Sequence, residues 1–162
     1  TILTDGHRYS ADINYICNMI TMSDIIETLH REGCSCVIAR GDAVTLCRER
    51  GVADLLRLLT ASPQTLAGAI IADKVVGKGA AALMILGGVS AVYADVVSRP
   101  AMELFAATDI AVSYGRLTDN IINRAATGIC PVESLCAPCR TAGECLPLIM
   151  KFVSENSKKH QS

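Results

Sequence analysis

The stretch Cys34-Ser35-Cys36-Val37-Ile38-Ala39-Arg40-Gly41-Asp42-Ala43-Val44-Thr45-Leu46-Cys47-Arg48 reads as two strand-forming runs, 34–39 and 43–48. Small and β-branched apolar residues suit a pleated surface, and Arg40-Gly41-Asp42 supplies a tight hairpin turn. Ahead of the hairpin, Ser23 caps a helix with Ile25, Ile26 and Leu29 on one face and Gly33 at its end. After it the period changes. Val52 to Leu59 reads as a helix broken by Ala61-Ser62-Pro63. Ala69 to Ala72 is a short apolar approach, and Asp73 is expected to cap a helix running to about Leu86, stopped by Gly87-Gly88. Ala91 to Val97 has the apolar, β-branched character of a buried strand. Ser98 caps another helix with Pro100 in its first turn, and Ile110 to Tyr114 is a strand. A hairpin followed by alternating helices and strands predicts a mixed sheet covered by helices.

The end of the chain is more irregular. Asn120 to Asn123 reads as a short final strand or a turn. Pro131 opens a helix that Cys136-Ala137-Pro138-Cys139 interrupts; Leu146 to Ser154 resumes it. The expected organisation is an N-terminal extension over 1–21, in which Ile13, Ile16, Met19 and Ile20 form one short helix, a domain over 22–154, and a frayed polar tail over 155–162.

Composition narrows the function. Apolar residues make up 51% of the 162 residues and charged residues 19%, which excludes general disorder. There is no Trp, and with 2 Phe and 4 Tyr the chain lacks the aromatic platform that stacks single-stranded bases. A net charge of −1 without a long basic run gives no phosphate-tracking groove, so nucleic acid is not an expected partner. No apolar run reaches the length of a membrane-spanning helix. No signal peptide is visible, and the expected location is the cytoplasm. There the 8 cysteines would serve as core thiols, reactive thiols or metal ligands.

Four motifs occur in order: Ala72-Asp73-Lys74-Val75-Val76-Gly77-Lys78, Val92-Tyr93-Ala94-Asp95-Val96-Val97-Ser98, Ile121-Ile122-Asn123-Arg124, and Thr127-Gly128-Ile129-Cys130-Pro131-Val132-Glu133. Together they resemble the uncharacterised prokaryotic family DUF1893, over roughly Met22 to Glu133. The resemblance implies a three-layer α/β/α sandwich of the cytidine-deaminase-like fold with a mixed sheet of about five strands. It implies no established activity. Zinc deaminases place His or Cys with Glu at one helix start and Pro-Cys-x-x-Cys at the next. Here those starts read Asp73-Lys74-Val75 and Ser98-Arg99-Pro100-Ala101, so a zinc-dependent deaminase is not expected.

Asp73, Lys74, Gly77 and Lys78 then form the candidate pocket. Lys74 and Lys78, four residues apart, would share a helix face and repel. Gly77 and Gly79 would each cost roughly 1 kcal/mol within a helix. An anion at the helix start, held by backbone N–H groups and the lysines, unites these features. The alternative is a solvated lysine face with glycines that let two helices pack. Asp95 interrupts a strand near the edge where open α/β sheets bind ligands, with Lys74, Lys78 or Arg124 as its expected donor. Asn123, Arg124, Thr127 and Gly128 reach the same edge or anchor a loop. Cys130 precedes a helix start, which favours thiolate, and Glu133 can cap back towards it.

Cys130, Cys136, Cys139 and Cys145 are spaced C-x5-C-x2-C-x5-C. Four thiols so placed can enclose zinc or an iron–sulfur cluster, or form a free-thiol loop. The leading functional expectation is a domain that binds a nucleotide or another phosphorylated small molecule. The alternatives are a non-zinc enzyme on a nucleotide-like substrate using a lysine or Cys130, and a metal-stabilised interaction module built on the four cysteines. An aliphatic surface also suits a homodimer.

Overall fold

The computed structural model describes residues 19–49 and 51–161. Helix α1 (Met22–Glu32) is started by Thr21, whose side chain accepts the Asp24 N–H while the Asp24 carboxylate accepts the Thr21 N–H. The cap thus falls two residues before the expected Ser23. Strands β1 (Cys36–Arg40) and β2 (Ala43–Cys47) form the expected hairpin, with Cys36 opposite Cys47 and Arg40 opposite Ala43. Helix α2 (Ala53–Ala61) and a 3-10 turn (Pro63–Thr65) lead to β3 (Ile70–Val76). Helix α3 (Lys78–Gly87), β4 (Ala91–Ser98), α4 (Arg99–Phe105) and β5 (Ala111–Thr118) follow, then α5 (Pro131–Cys136) and α6 (Ala142–Gln161).

The five strands form one mixed sheet in the order β2-β1-β3-β4-β5. β1 is antiparallel to both neighbours, and β3, β4 and β5 are parallel. Strand alternation divides β1 between two apolar clusters. Val37 and Ala39 pack with Ile25, Leu29 and Ala72 beneath α1. Cys36 and Ile38 join the larger cluster of Ile71, Val92, Val97, Leu83, Met84 and Ile149.

The main correction concerns residues 70–78. The expected helix start at Asp73 is the C-terminal half of β3, and the helix begins at Lys78 behind Gly77. Burial explains the misreading. β3 lies at the centre of the sheet, so Ile71, Ala72 and Val76 are fully buried without polar alternation, and Asp73-Lys74 looks like a cap. Lys74 and Lys78 therefore share no helix face. β5 runs four residues past its expected end at Tyr114, and the segment Asn120–Asn123 is a loop carrying one isolated bridge, Ile122 to Ile129. Helix α6 starts before Leu146 and continues through the expected frayed tail to Gln161. The predicted short N-terminal helix falls mostly on residues 1–18, outside the described residues; of its apolar positions, Met19 is exposed and Ile20 packs under α1.

Gly79 shows why α3 begins with small residues. A Cβ there would lie 2.3 Å from Val132 Cγ1. Only a glycine lets α5 approach α3 so closely, which supports the helix-packing reading of this position. Gly79→Ala is expected to lower stability by about 1–3 kcal/mol through overpacking, outweighing its gain in helix propensity. Urea denaturation measures this; a stabilised variant would contradict the close approach.

Candidate functional site

The start of α3 is an electrostatic focus, because its first N–H groups lack intrahelical partners. The group that meets them belongs to the protein. Glu133 is buried, and its Oε1 accepts the Lys78 N–H at 2.9 Å and the Ser98 hydroxyl at 2.8 Å. Its Oε2 accepts the Ile121 N–H. Ser98 caps α4, its Oγ accepting from Ala101 N–H at 3.2 Å. One carboxylate therefore joins the starts of α3 and α4 to the 121 loop. Glu133 was expected to cap back towards Cys130; its side chain instead points across to α3.

Lys78 completes the attachment from the other side. Its side chain is buried, and Nζ donates to the backbone oxygens of Ala137 and Cys139, past the end of α5. Cations are favoured at such carbonyls. The amine is thus committed to the protein and does not stand beside a ligand phosphate. Lys74 is half-buried on β3 and lines a different depression.

A cavity of about 750 Å³ adjoins this junction. Val52, Ala80, Ile121, Val132 and Phe152 give it a mainly apolar wall, and Gly77, Asn123, Arg124, Cys130 and Glu133 also border it. Asp73, Lys74, Lys78, Asp95, Thr127 and Gly128 do not line it. Asn123 mostly serves its loop: its Oδ1 accepts Thr127 N–H at 3.0 Å, its Nδ2 donates to Thr127 Oγ1, and its N–H donates to Gly128 O. Arg124 is exposed at the rim.

A second cavity of about 400 Å³ holds Asp73 and Lys74 together with Ser35, Cys36, Cys47, Arg48 and Asp54. Burial pushes the Asp73 carboxyl up to about 7, although the Val75 N–H and the Cys36 thiol stabilise its charged form. Cys36 is pushed well up by its contact with Cys47 and by burial; that same contact draws Cys47 down.

Asp95 finds neither Lys74, Lys78 nor Arg124. Its carboxylate binds His30 Nε2 at 2.8 and 3.0 Å and accepts the Tyr93 hydroxyl at 2.8 Å. The spacing of Tyr93 and Asp95 puts them on one strand face, which was legible; the approach of α1 was not.

The four-cysteine site is not assembled. Cys136, Cys139 and Cys145 meet in the core, where burial raises Cys136 and Cys145 and favours inert thiols. Cys130 stands at the opposite end of α5, roughly 9 Å away along a six-residue helix. Among the described residues, no three His, Cys, Asp or Glu side chains are placed to hold a metal ion. No described helix is long and apolar enough to cross a membrane.

These features define an α/β domain with two cavities around the end of β3. Residues 24–153 match the family described as TM1506, a domain of unknown function (DUF1893), and the chain belongs to that family. It is also similar to the crystal structure of a DUF1893 family protein (TM1506) from Thermotoga maritima, at 20% identity and a TM-score of 0.74, over 80% of this chain and 88% of that one. At that identity the likeness concerns the fold. No curated protein matches the sequence.

Glu133→Gln turns an amide N–H2 towards a cluster of donors and is expected to cost about 3 kcal/mol of stability by denaturant titration. A loss below about 1 kcal/mol would contradict a joint made by the Glu133 carboxylate. Asp73 gives a pH signature. Its folded value of about 7 lies above the ordinary 3.8, so the folded state holds the extra proton between those values. Stability contributed by this group therefore falls as pH rises through that window. Asp73→Asn should gain on the wild type between about pH 4 and 7 and hold its gain above that; a constant difference would mean that the carboxyl titrates normally.

Proposed function

We propose that this chain is a small-molecule-binding domain, built on a three-layer, cytidine-deaminase-like scaffold, that takes a nucleotide-like ligand in the 750 Å³ cavity. The layered reading rests on the sheet order and on the two apolar clusters that separate α1 from the other helices. The cavity carries the functional reading. Its volume falls within the range of ligand pockets, and its walls are largely apolar with few polar groups. It also lies beyond the C-terminal end of β3, the edge at which parallel α/β sheets receive ligands.

Glu133 changes which part of a ligand goes where. The helix starts already hold a carboxylate, so a second anion beside Lys78 N–H would meet like charge. The flat, apolar part of the ligand belongs in the cavity, and a phosphate reaches outward to Arg124. A non-zinc enzyme is the second reading. It is favoured by Cys130, which borders the same cavity, while the commitment of Lys78 to backbone carbonyls removes that lysine as its reactive group.

A thermal-shift panel of nucleosides, nucleotides and sugar phosphates tests the proposal. A ligand at a hundredfold excess over its Kd adds about 2.7 kcal/mol of stability. Nucleotides are expected to raise Tm, Arg124→Ala to remove the advantage of nucleotide over nucleoside, and Ala53→Phe, which fills the cavity, to remove both shifts. Absence of any shift, or equal shifts in all three proteins, would overturn it.

A further inference from the structure

Cys36 and Cys47 are directly opposed across the antiparallel β1–β2 ladder. Both are buried in the larger core cluster, yet both line the 400 Å³ cavity. On its other side Cys36 is opposed to Asp73 of β3, so the register sets this residue between the second thiol and the carboxyl. Opposed residues of an antiparallel pair have Cβ atoms about 4.5–5.5 Å apart, and a disulfide needs about 3.5–4.5 Å, so a slight pinch of the hairpin suffices. Cys34 is only two residues from Cys36 but packs in the other cluster, under α1.

We propose that Cys36 and Cys47 are a redox-active dithiol that reacts with a hydroperoxide entering the 400 Å³ cavity and closes to a cross-strand disulfide. Cys47 attacks first. Its thiolate sulfur attacks the distal peroxide oxygen; an S–O bond forms as the O–O bond breaks, and the alkoxide or hydroxide that leaves takes a proton. Cys47 is then a sulfenic acid, oxidised by two electrons, and the peroxide is reduced to alcohol or water. Cys36 attacks that sulfur, the S–O bond breaks, and water leaves. Asp73 accepts the Cys36 proton and returns it to the departing hydroxide. The net change is two thiols and one hydroperoxide to one disulfide, one alcohol and one water. The opposed pair divides the roles: the neighbourhood of Cys36 draws the Cys47 thiol down while that of Cys47 pushes Cys36 up, as an attacking and a resolving thiol require.

The test is peptide mapping of the full reduced chain after stoichiometric hydrogen peroxide, with free thiols alkylated. The expected product is a bridge between the peptides carrying Cys36 and Cys47, with fragmentation leaving Cys34 alkylated. Cys36→Ser should prevent the bridge and leave Cys47 as a sulfenic acid trapped by dimedone. Both residues remaining alkylated while Cys130 or other thiols oxidise would overturn the proposal, as would a bridge from Cys34. The wild-type map decides the question even where the variant fails to fold. Ligand binding is not involved, so the outcome is separate from that of the nucleotide panel.

Discussion

A carboxylate inside a protein is tolerable only where donors surround it, and Glu133 is surrounded by the Lys78 N–H, the Ser98 hydroxyl and the Ile121 N–H. These donors come from the starts of two helices and from a loop, three parts of the chain far apart in sequence. Lys78 reciprocates by placing its amine on the carbonyls of Ala137 and Cys139. The short α5 is thus held to α3 by an anion at one end and a cation at the other. Gly79, with no side chain, permits the contact. The wall of the large cavity formed by Ile121, Cys130 and Val132 depends on that attachment.

The arrangement bears on chemistry as much as on stability. Two helix starts after adjacent parallel strands make a strongly anion-favouring place in an α/β fold. In this chain that place is filled by a side chain from α5, and the basic residues expected to reinforce it point elsewhere. What remains beside it is a mainly apolar cavity with Arg124 at its rim and Cys130 on its border. The second cavity has a different character, with a neutral-leaning carboxyl and paired thiols. The two share Glu49, Gly51 and Val75 as a common wall, so one region of the molecule carries both.

The hairpin, the buried β4 and the Ser98 cap were legible because each depends on local chemistry: a Gly-Asp turn, a run of β-branched residues, a hydroxyl before a helix. The boundary between β3 and α3 was not. Asp73 imitates a cap, and only its neighbours in the folded sheet show that it is a buried strand residue with a raised pKa. Cys130 and Arg124 were found from motif position and do border a cavity, whereas Asp95 and Lys78 were given the wrong partners. Glu133 was noticed only as a local cap. Its reach to Lys78 spans 55 residues, and no local pattern encodes it. The pairing of Cys36 with Cys47 depends on a two-residue turn in which Arg40 faces Ala43; the three-residue turn read from the sequence would have set Cys36 opposite Leu46.

The most direct test of the joint is a double-mutant cycle between Glu133→Gln and Ser98→Ala, read by equilibrium denaturation. Groups that share one buried hydrogen bond are coupled, and the Ser98 hydroxyl donates to Glu133 Oε1 at 2.8 Å. The expected coupling energy is about 1–3 kcal/mol. Losses that add to within about 0.3 kcal/mol would contradict a carboxylate shared by the two helix starts.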